Sequence, residues 1–199
     1  MPLNHGTDGE SGTYESSAFF VRSIKTSREF LFFGDVEPDS LALTPRNLDV
    51  WRAAAPKVPQ ILSSVFIECS WPSGRSDDTL YGHLSPEHLV DELTAFAAEV
   101  ARFRAGQPSE NEPQEQESTR APKRRRREPP SPDTLRGKLD GVSVYIIHCK
   151  DDLHDTYDRP INEVITDQIR TLIAPKELGV EIIAVEQGMQ ICQSLRFSN

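Results

Sequence analysis

The 199-residue sequence has few cysteines and no long apolar run, and each shortage argues against a class of protein. Its three cysteines, Cys69, Cys149 and Cys192, form neither an even set nor a Cys-x-x-Cys pair, which predicts reduced thiols in an intracellular chain. No apolar run reaches the roughly 18 residues that a membrane span needs, so no membrane partner is expected. The amino terminus lacks a basic segment followed by an apolar one, so no secretory signal is predicted.

Positive charge is scarce outside one segment. The formal net charge is −9, and residues 107–136 hold seven basic and six acidic side chains, a net +1 that leaves −10 for the remainder. Because phosphate contacts need clustered Lys and Arg, no nucleic-acid partner is expected. The tract Lys123–Arg127 has the form of a nuclear-import signal, which predicts an importin partner and a cytoplasmic location with access to the nucleus. A solvated charge run is the alternative.

Apolar residues are almost missing between positions 106 and 138. This stretch consists of Gln, Glu, Pro, Ser and Arg, and such a composition cannot offset the entropy lost on ordering. We therefore predict a disordered Pro/Glu/Arg-rich insertion at 106–138. It interrupts a single domain formed by residues 1–105 and 139–199.

Short apolar strands that end in polar residues organise this domain. Phe30–Phe33 is followed at once by Gly34 and Asp35, and the preceding segment 17–24 predicts a hairpin with it. Residues 7–16 are polar and predict a loop. Further strands are predicted at 63–69, 141–148 and 179–185, and helices are predicted from Thr44-Pro45, Ser85-Pro86 and Pro160. Helices that alternate with buried strands indicate a layered α/β domain.

Five polar residues at strand ends or adjacent loops are candidates for a metal centre: His5, Asp35, Glu68, His83 and His148. Imidazole and carboxylate groups from separate strands suit zinc or another divalent transition metal. No His-x-His pair supports this locally. Each residue also has an ordinary explanation, since Asp35 can form a turn, His5 can be an unordered end residue and His83 can cap a helix.

Several segments in combination resemble the class II cyclic-nucleotide phosphodiesterases of fungi and some bacteria. The most specific are FLFFGDVEPDS at 30–40 and YGHLSPEHLVDEL at 81–93, because their order and spacing are hard to obtain by chance. The others are PLNHG at 2–6, SSAFFVR at 16–22, VFIECS at 65–70, VYIIHCK at 144–150 and EQGM at 186–189. The resemblance implies a metallo-β-lactamase fold, here as partial αββα layers that correspond to the carboxyl-terminal half of such an enzyme.

The resemblance also implies roles for the five candidates. His5, Asp35 and His148 match metal ligands of the family, with Asp35 as the bridging residue, and zinc is the implied metal. His83 and Glu68 match a pair that protonates a leaving oxygen. The implied substrate is 3′,5′-cyclic AMP, with cyclic GMP as a second candidate, and the implied product is the 5′-nucleotide.

One departure from the family pattern is large. The motif His-x-His-Leu-Asp-His, which supplies most metal ligands in the family, does not occur in this sequence. We therefore predict weak or absent catalysis by the 199 residues alone and an exposed apolar sheet edge or face. One alternative is a non-catalytic fragment that acts as an interaction protein through its basic tract. Another is an RNA-processing nuclease of the same fold, against which the acidic body argues.

Overall fold

Six strands form one sheet, and their order in the sheet is their order along the chain. The computed structural model describes residues 1–8, 12–106, 132–151 and 156–191. The strands are β1 (Pro2–Asp8), β2 (Gly12–Arg22), β3 (Glu29–Phe33), β4 (Leu62–Glu68), β5 (Ser143–Ile147) and β6 (Glu181–Ala184). The α-helices are α1 (Asn47–Ala54), α2 (Pro86–Gly106), α3 (Pro132–Leu135) and α4 (Ile161–Ile173).

The strand directions divide the sheet into two parts. β2 pairs antiparallel with both β1 and β3, whereas β3, β4, β5 and β6 are mutually parallel. The predicted hairpin of β2 and β3 is confirmed, with Ala18 opposite Phe33 and Phe20 opposite Leu31. Because the parallel strands point the same way, the residues that follow β3, β4 and β5 meet at one edge of the sheet.

The helices cover one face of the sheet, where the apolar core lies. Alternate residues of the central strands point into this core, among them Leu31, Val65 and Val144, which are fully buried. Trp51 of α1 packs between Phe33 and Phe96, with 4.8 Å between ring centroids on both sides. Among the described residues, no helix has the length and apolar character needed to cross a membrane.

The opposite face of the sheet carries an aromatic row that the described residues leave partly uncovered. Phe66 on β4 contacts the rings of Phe30, Phe32 and Tyr145, with 5.5, 6.4 and 4.8 Å between centroids. Phe32 is 38% exposed and Phe19, its neighbour on β2, is 55% exposed. This agrees with the predicted exposure of an apolar sheet face, because the helices that the structure describes pack against the other face.

The amino-terminal region corrects one prediction. Residues 7–16 read as a loop, yet β1 extends to Asp8 and β2 begins at Gly12, with Asn4 opposite Glu15 and Thr7 opposite Thr13. Residues 9–11 lie outside the described range. The prediction failed because this part of the hairpin is polar and largely exposed, so its backbone pairing leaves no apolar alternation to detect.

The carboxyl-terminal boundary of the predicted insertion is also corrected. Residues 132–138 belong to the folded domain: α3 forms there, Leu135 is buried, and the backbone N–H of Gly137 donates to the carbonyl of Glu177 at 2.9 Å. A single buried leucine in a polar context gives too weak a pattern to predict this. Residues 107–131, including Lys123–Arg127, lie outside the described residues, so the proposed disorder and the import signal stay predictions.

The first helix begins later than predicted, at Asn47 instead of at Thr44-Pro45. Asp39 provides the cap from outside the helix. Its Oδ1 accepts hydrogen bonds from the backbone N–H groups of Arg46 and Asn47, and its Oδ2 accepts one from Leu48, all at 2.9 Å. These three donors would otherwise be unsatisfied at the helix start. Part of the GDVEPDS segment therefore serves the fold.

Glu92 on α2 forms hydrogen bonds with both the GDVEPDS segment and α1. This buried carboxylate accepts hydrogen bonds from the Trp51 indole and the Asp39 backbone N–H, both at 2.8 Å, and from the Asn47 amide at 3.1 Å. Burial raises the pKa of Glu92, although these donors oppose the shift. Three polar groups thus depend on one side chain.

We expect Glu92→Ala to lower the free energy of unfolding by about 3 kcal/mol, because it leaves buried donors unsatisfied. Urea denaturation measures this change. Asp91→Ala, at the exposed neighbouring position on α2, is the control and should change stability by less than about 0.5 kcal/mol. Equal effects of the two substitutions would contradict this role of Glu92.

Candidate active site

The residues that follow three parallel strands meet at one edge of the sheet. Asp35 follows β3, Glu68 is the last residue of β4, and His148 follows β5. Each strand has an apolar run shortly before that point, Phe30–Phe33, Val65–Ile67 or Val144–Ile147, so a strongly polar side chain appears where the core ends. The prediction that these three residues lie together is therefore supported by the geometry.

Asp35 and His148 form the open part of the cluster. His148 Nδ1 lies 2.8 Å from Asp35 Oδ1, and the side chains are 37% and 42% exposed, respectively. The backbone of His148 has a φ of 56°, in the left-handed region that costs a non-glycine residue free energy. The fold holds this histidine in an unfavourable backbone conformation, as is common for functional residues.

His5 approaches Asp35 from β1, which runs beside the loop before α2. Its Nδ1 lies 3.0 Å from the carbonyl oxygen of Gly82, and because a carbonyl only accepts, Nδ1 donates this hydrogen bond. In the neutral ring the lone pair then lies on Nε2, which faces Asp35 Oδ2 at 3.8 Å. A cation placed between Nε2 and the carboxylate would be bound by both groups.

Two glycines allow the His5 and His83 segments to cross. Gly6 and Gly82 have φ angles of +76° and +77°, and a Cβ added to Gly82 would lie 2.7 Å from the backbone N of Gly6 and the carbonyl carbon of His5. Only glycine permits both this backbone conformation and this approach. The crossing sets the rings of His5 and His83 edge to face, with centroids 4.6 Å apart.

His83 and Glu68 form the buried part of the cluster. His83 Nδ1 lies 2.8 Å from Glu68 Oε1, and their side chains are only 8% and 1% exposed. Glu68 Oε1 also accepts from the Val36 backbone N–H at 2.8 Å, and Ser70 Oγ lies 2.5 Å from Oε2. A carboxylate surrounded by donors accepts from the imidazole, so Nδ1 carries the proton and Nε2 remains for other chemistry.

All five predicted site residues therefore converge. One ligand-type atom from each of Asp35, Glu68, His83 and His148 lies within 4.8 Å of the others, and His5 contacts Asp35 and His83. Two imidazoles and two carboxylates form a donor set that zinc and similar transition metals accept. His5, Asp35 and His148 are the candidates for holding such an ion, because the resemblance gives them this role and they are the more exposed members of the cluster.

Two contacts of the cluster were not among the predicted residues. Ser70 Oγ lies between Glu68 Oε2 and the carbonyl oxygen of His148, at 2.5 and 2.9 Å. Lys150 Nζ lies 3.2 Å from His148 Nε2. Each follows a predicted site residue by two positions, but strand alternation does not predict these contacts, because Ser70 and Lys150 lie past the ends of β4 and β5.

Two cysteines lie near the cluster without belonging to it. Burial raises the pKa of Cys149 to about 12, and burial raises the pKa of Cys69 well above its ordinary value. Burial thus favours the neutral form of both thiols. Both cysteines are free, and Cys192 lies outside the described residues, so the reduced state of the chain stays a prediction.

The strand order, the helices on one face and the histidine–carboxylate edge define a layered α/β domain of the metallo-β-lactamase type. The crystal structure of unliganded yeast PDE1 has the same fold, with a TM-score of 0.64 at 22% identity over 92% of this chain and 42% of that one. The family model of the class-II cAMP phosphodiesterases matches residues 1–188. The chain belongs to this family.

Sequence relatives agree with this assignment. A probable 3′,5′-cyclic-nucleotide phosphodiesterase of Yersinia pestis is 27% identical over 88% of this chain and 41% of its own length. The 3′,5′-cyclic-nucleotide phosphodiesterase of Schizosaccharomyces pombe is 43% identical over 52% of this chain and 30% of its own length. That of Aliivibrio fischeri is 26% identical over 94% of this chain and 43% of its own length. The chain thus spans less than half of the relatives it matches.

Proposed function

We propose that this chain supplies the carboxyl-terminal part of an active site that hydrolyses 3′,5′-cyclic AMP to 5′-AMP, with cyclic GMP as a second substrate. The main support is that the cluster has two parts. His5, Asp35 and His148 form an open part, and His83 and Glu68 form a buried pair. Family membership supports the class of reaction. The relatives carry cyclic-nucleotide phosphodiesterase in their names.

His5, Asp35 and His148 would hold a divalent cation, and zinc is the proposed metal. Such a cation supplies Lewis acidity toward the phosphoryl oxygens. The ligands in this chain are too few for the two-metal centre implied by the resemblance, so we propose that residues outside these 199 complete it. Activity of the chain alone is accordingly expected to be weak or absent.

His83 is the proposed proton donor to the departing 3′ oxygen. Its Nδ1–H is held by Glu68 at 2.8 Å, which orients the ring, and the imidazolium form carries on Nε2 the second proton, which passes to the departing oxygen. The rings of His5 and His148 lie 4.6 and 5.2 Å from the His83 ring, between centroids, so the donor stands beside the proposed metal ligands. Glu68 acts through His83 as a positioning residue.

Activity tests need a complete centre, which we call the complemented enzyme. It is this chain joined behind the amino-terminal half of a class-II relative that carries the His-x-His-Leu-Asp-His motif. His83→Ala in this enzyme is expected to lower kcat for cyclic AMP about 10²- to 10⁴-fold, the range for loss of a general acid. The loss should shrink below about tenfold for bis(p-nitrophenyl) phosphate, because nitrophenolate leaves without a proton.

His88→Gln is the control for this experiment. His88 lies on α2, which begins just after His83, but its contacts are Ser85 Oγ at 2.8 Å and Asp77 Oδ1 at 3.5 Å, outside the cluster. We expect its kcat to stay within about threefold of the parent enzyme, in line with a position that takes no part in the chemistry. An equal loss for both substrates in His83→Ala would contradict the proposed proton transfer.

Partners other than the cyclic nucleotide stay at the level of proposals. An importin that binds Lys123–Arg127, and a cytoplasmic location with nuclear access, rest on residues outside the described range. Deletion of 123–127 should change the distribution of a fluorescent fusion without changing turnover by the complemented enzyme. An unchanged distribution would contradict the proposed import signal.

A further inference from the structure

We propose that Lys150 is a phosphate-binding residue of this site, an inference that rests on the proposed function. Its ammonium Nζ lies 3.2 Å from His148 Nε2, at the open part of the cluster. The backbone N–H of Lys150 donates to the carbonyl oxygen of Ser70 at 2.9 Å, which fixes the start of the side chain. The lysine is therefore placed by the fold beside the proposed metal ligands.

The partner of this ammonium group is unusual. Among the described residues, no carboxylate lies within 4.0 Å of Lys150 Nζ, and its hydrogen-bond partner is an imidazole nitrogen instead. Nδ1 of the same ring faces Asp35 Oδ1, so the Nε2 lone pair is what the ammonium contacts. This contact is lost when His148 binds a metal ion through Nε2. Since no acidic partner of Lys150 occurs among the residues that the structure describes, the lysine can then bind an anion.

The surroundings favour an anionic group attached to a larger organic group. His148 also borders a cavity of about 460 Å³ whose walls include Ile147, Ile161 and Val185. This volume is in the range of small-molecule sites, and its walls combine these apolar residues with the polar side chains of Asp151, Asn162, Glu186 and Gln187. A phosphate beside Lys150 and His148 would have its ester substituent directed to a place with room for it. The chemistry points to a phosphate ester.

Binding of two phosphate ligands tests the inference without relying on turnover. Inorganic phosphate and 5′-AMP are titrated calorimetrically into the complemented enzyme and its Lys150→Met variant. Because a charge-assisted contact to phosphate is removed, both affinities should fall by the same factor, about 10- to 100-fold. Lys150→Arg should restore most of the affinity, since Arg also binds phosphate.

Lys176→Met is the matched control, with the same loss of charge. Lys176 lies beyond the carboxyl end of α4, whereas the cavity beside His148 is lined by Ile161 at the opposite end of that helix. It should leave both affinities within about twofold, because surface charges at this distance are screened.

Kinetics separate this inference from the proposed function. If the parent enzyme hydrolyses cyclic AMP, Lys150→Met should lower kcat/KM about 10- to 100-fold, and unchanged phosphate affinity and kcat/KM would overturn the role of Lys150 alone. If only 5′-AMP affinity falls, the lysine contacts the nucleoside and the phosphate assignment is wrong. If the parent enzyme has no turnover but Lys150→Met still weakens binding of both ligands, the proposed function fails while Lys150 remains a phosphate-binding residue.

Discussion

Asp35→Asn is expected to abolish cyclic AMP hydrolysis by the complemented enzyme, with a loss of at least about 10³-fold in kcat/KM. Asp35 is the residue that faces two imidazoles, with His148 Nδ1 2.8 Å from one oxygen and His5 Nε2 3.8 Å from the other. Asparagine keeps the shape of the side chain but removes the negative charge that would attract a cation to this position. Loss of a metal ligand and of charge stabilisation together justify the size of the effect.

Metal binding distinguishes this explanation from a general loss of structure. Calorimetric titration with zinc and manganese should show at least tenfold weaker binding by Asp35→Asn, while urea unfolding changes little, since Asp35 is 42% exposed. Asp49→Asn on the exposed side of α1 is the control and should match the parent protein in all three measurements. Retained turnover in Asp35→Asn would remove this residue from the centre.

Gly82→Ala is expected to disrupt the crossing of the His5 and His83 segments. The new Cβ would lie 2.7 Å from backbone atoms of His5 and Gly6, and Gly82 has a φ of +77° that alanine adopts poorly. Backbone cannot yield as a flexible side chain does, so β1 must move away. We expect the free energy of unfolding to fall by about 3 kcal/mol and His5 to leave the cluster.

Gly74→Ala separates the two causes of that effect. Gly74 has a φ of +85° with nothing within 4 Å of an added Cβ, so it reports the backbone strain alone, about 1 kcal/mol. The difference between the two variants then measures the clash at the crossing. Gly82→Ala should also weaken zinc binding, whereas Gly74→Ala should not. Identical stability and identical zinc affinity would show that the crossing does not position His5.

Much of the sheet could be predicted because its central strands are apolar and short. The segments at 30–33, 63–69 and 141–148 agree with β3, β4 and β5 to within a few residues. A short apolar run bounded by turn residues favours a buried strand over a helix. β1 could not be predicted in this way, because its pairing with β2 rests on backbone hydrogen bonds between polar residues.

The site was predictable in its members but not in its contacts. Asp35, Glu68 and His148 follow apolar strands, and that local pattern is visible in the sequence. His5 and His83 were assigned through the family resemblance, because nothing in the sequence shows that Gly6 and Gly82 cross. The positions of Ser70 and Lys150 depend on the register of β4 against β5, which is a tertiary property.

The measurement that tests the account most directly is cyclic AMP hydrolysis by the 199-residue chain, by the complemented enzyme and by its Asp35→Ala variant, each with zinc supplied. We predict little or no turnover by the chain alone, clear formation of 5′-AMP by the complemented enzyme, and none after Asp35→Ala. Full turnover by the chain alone would contradict the need for outside ligands. Turnover that survives Asp35→Ala would contradict the assignment of the site itself.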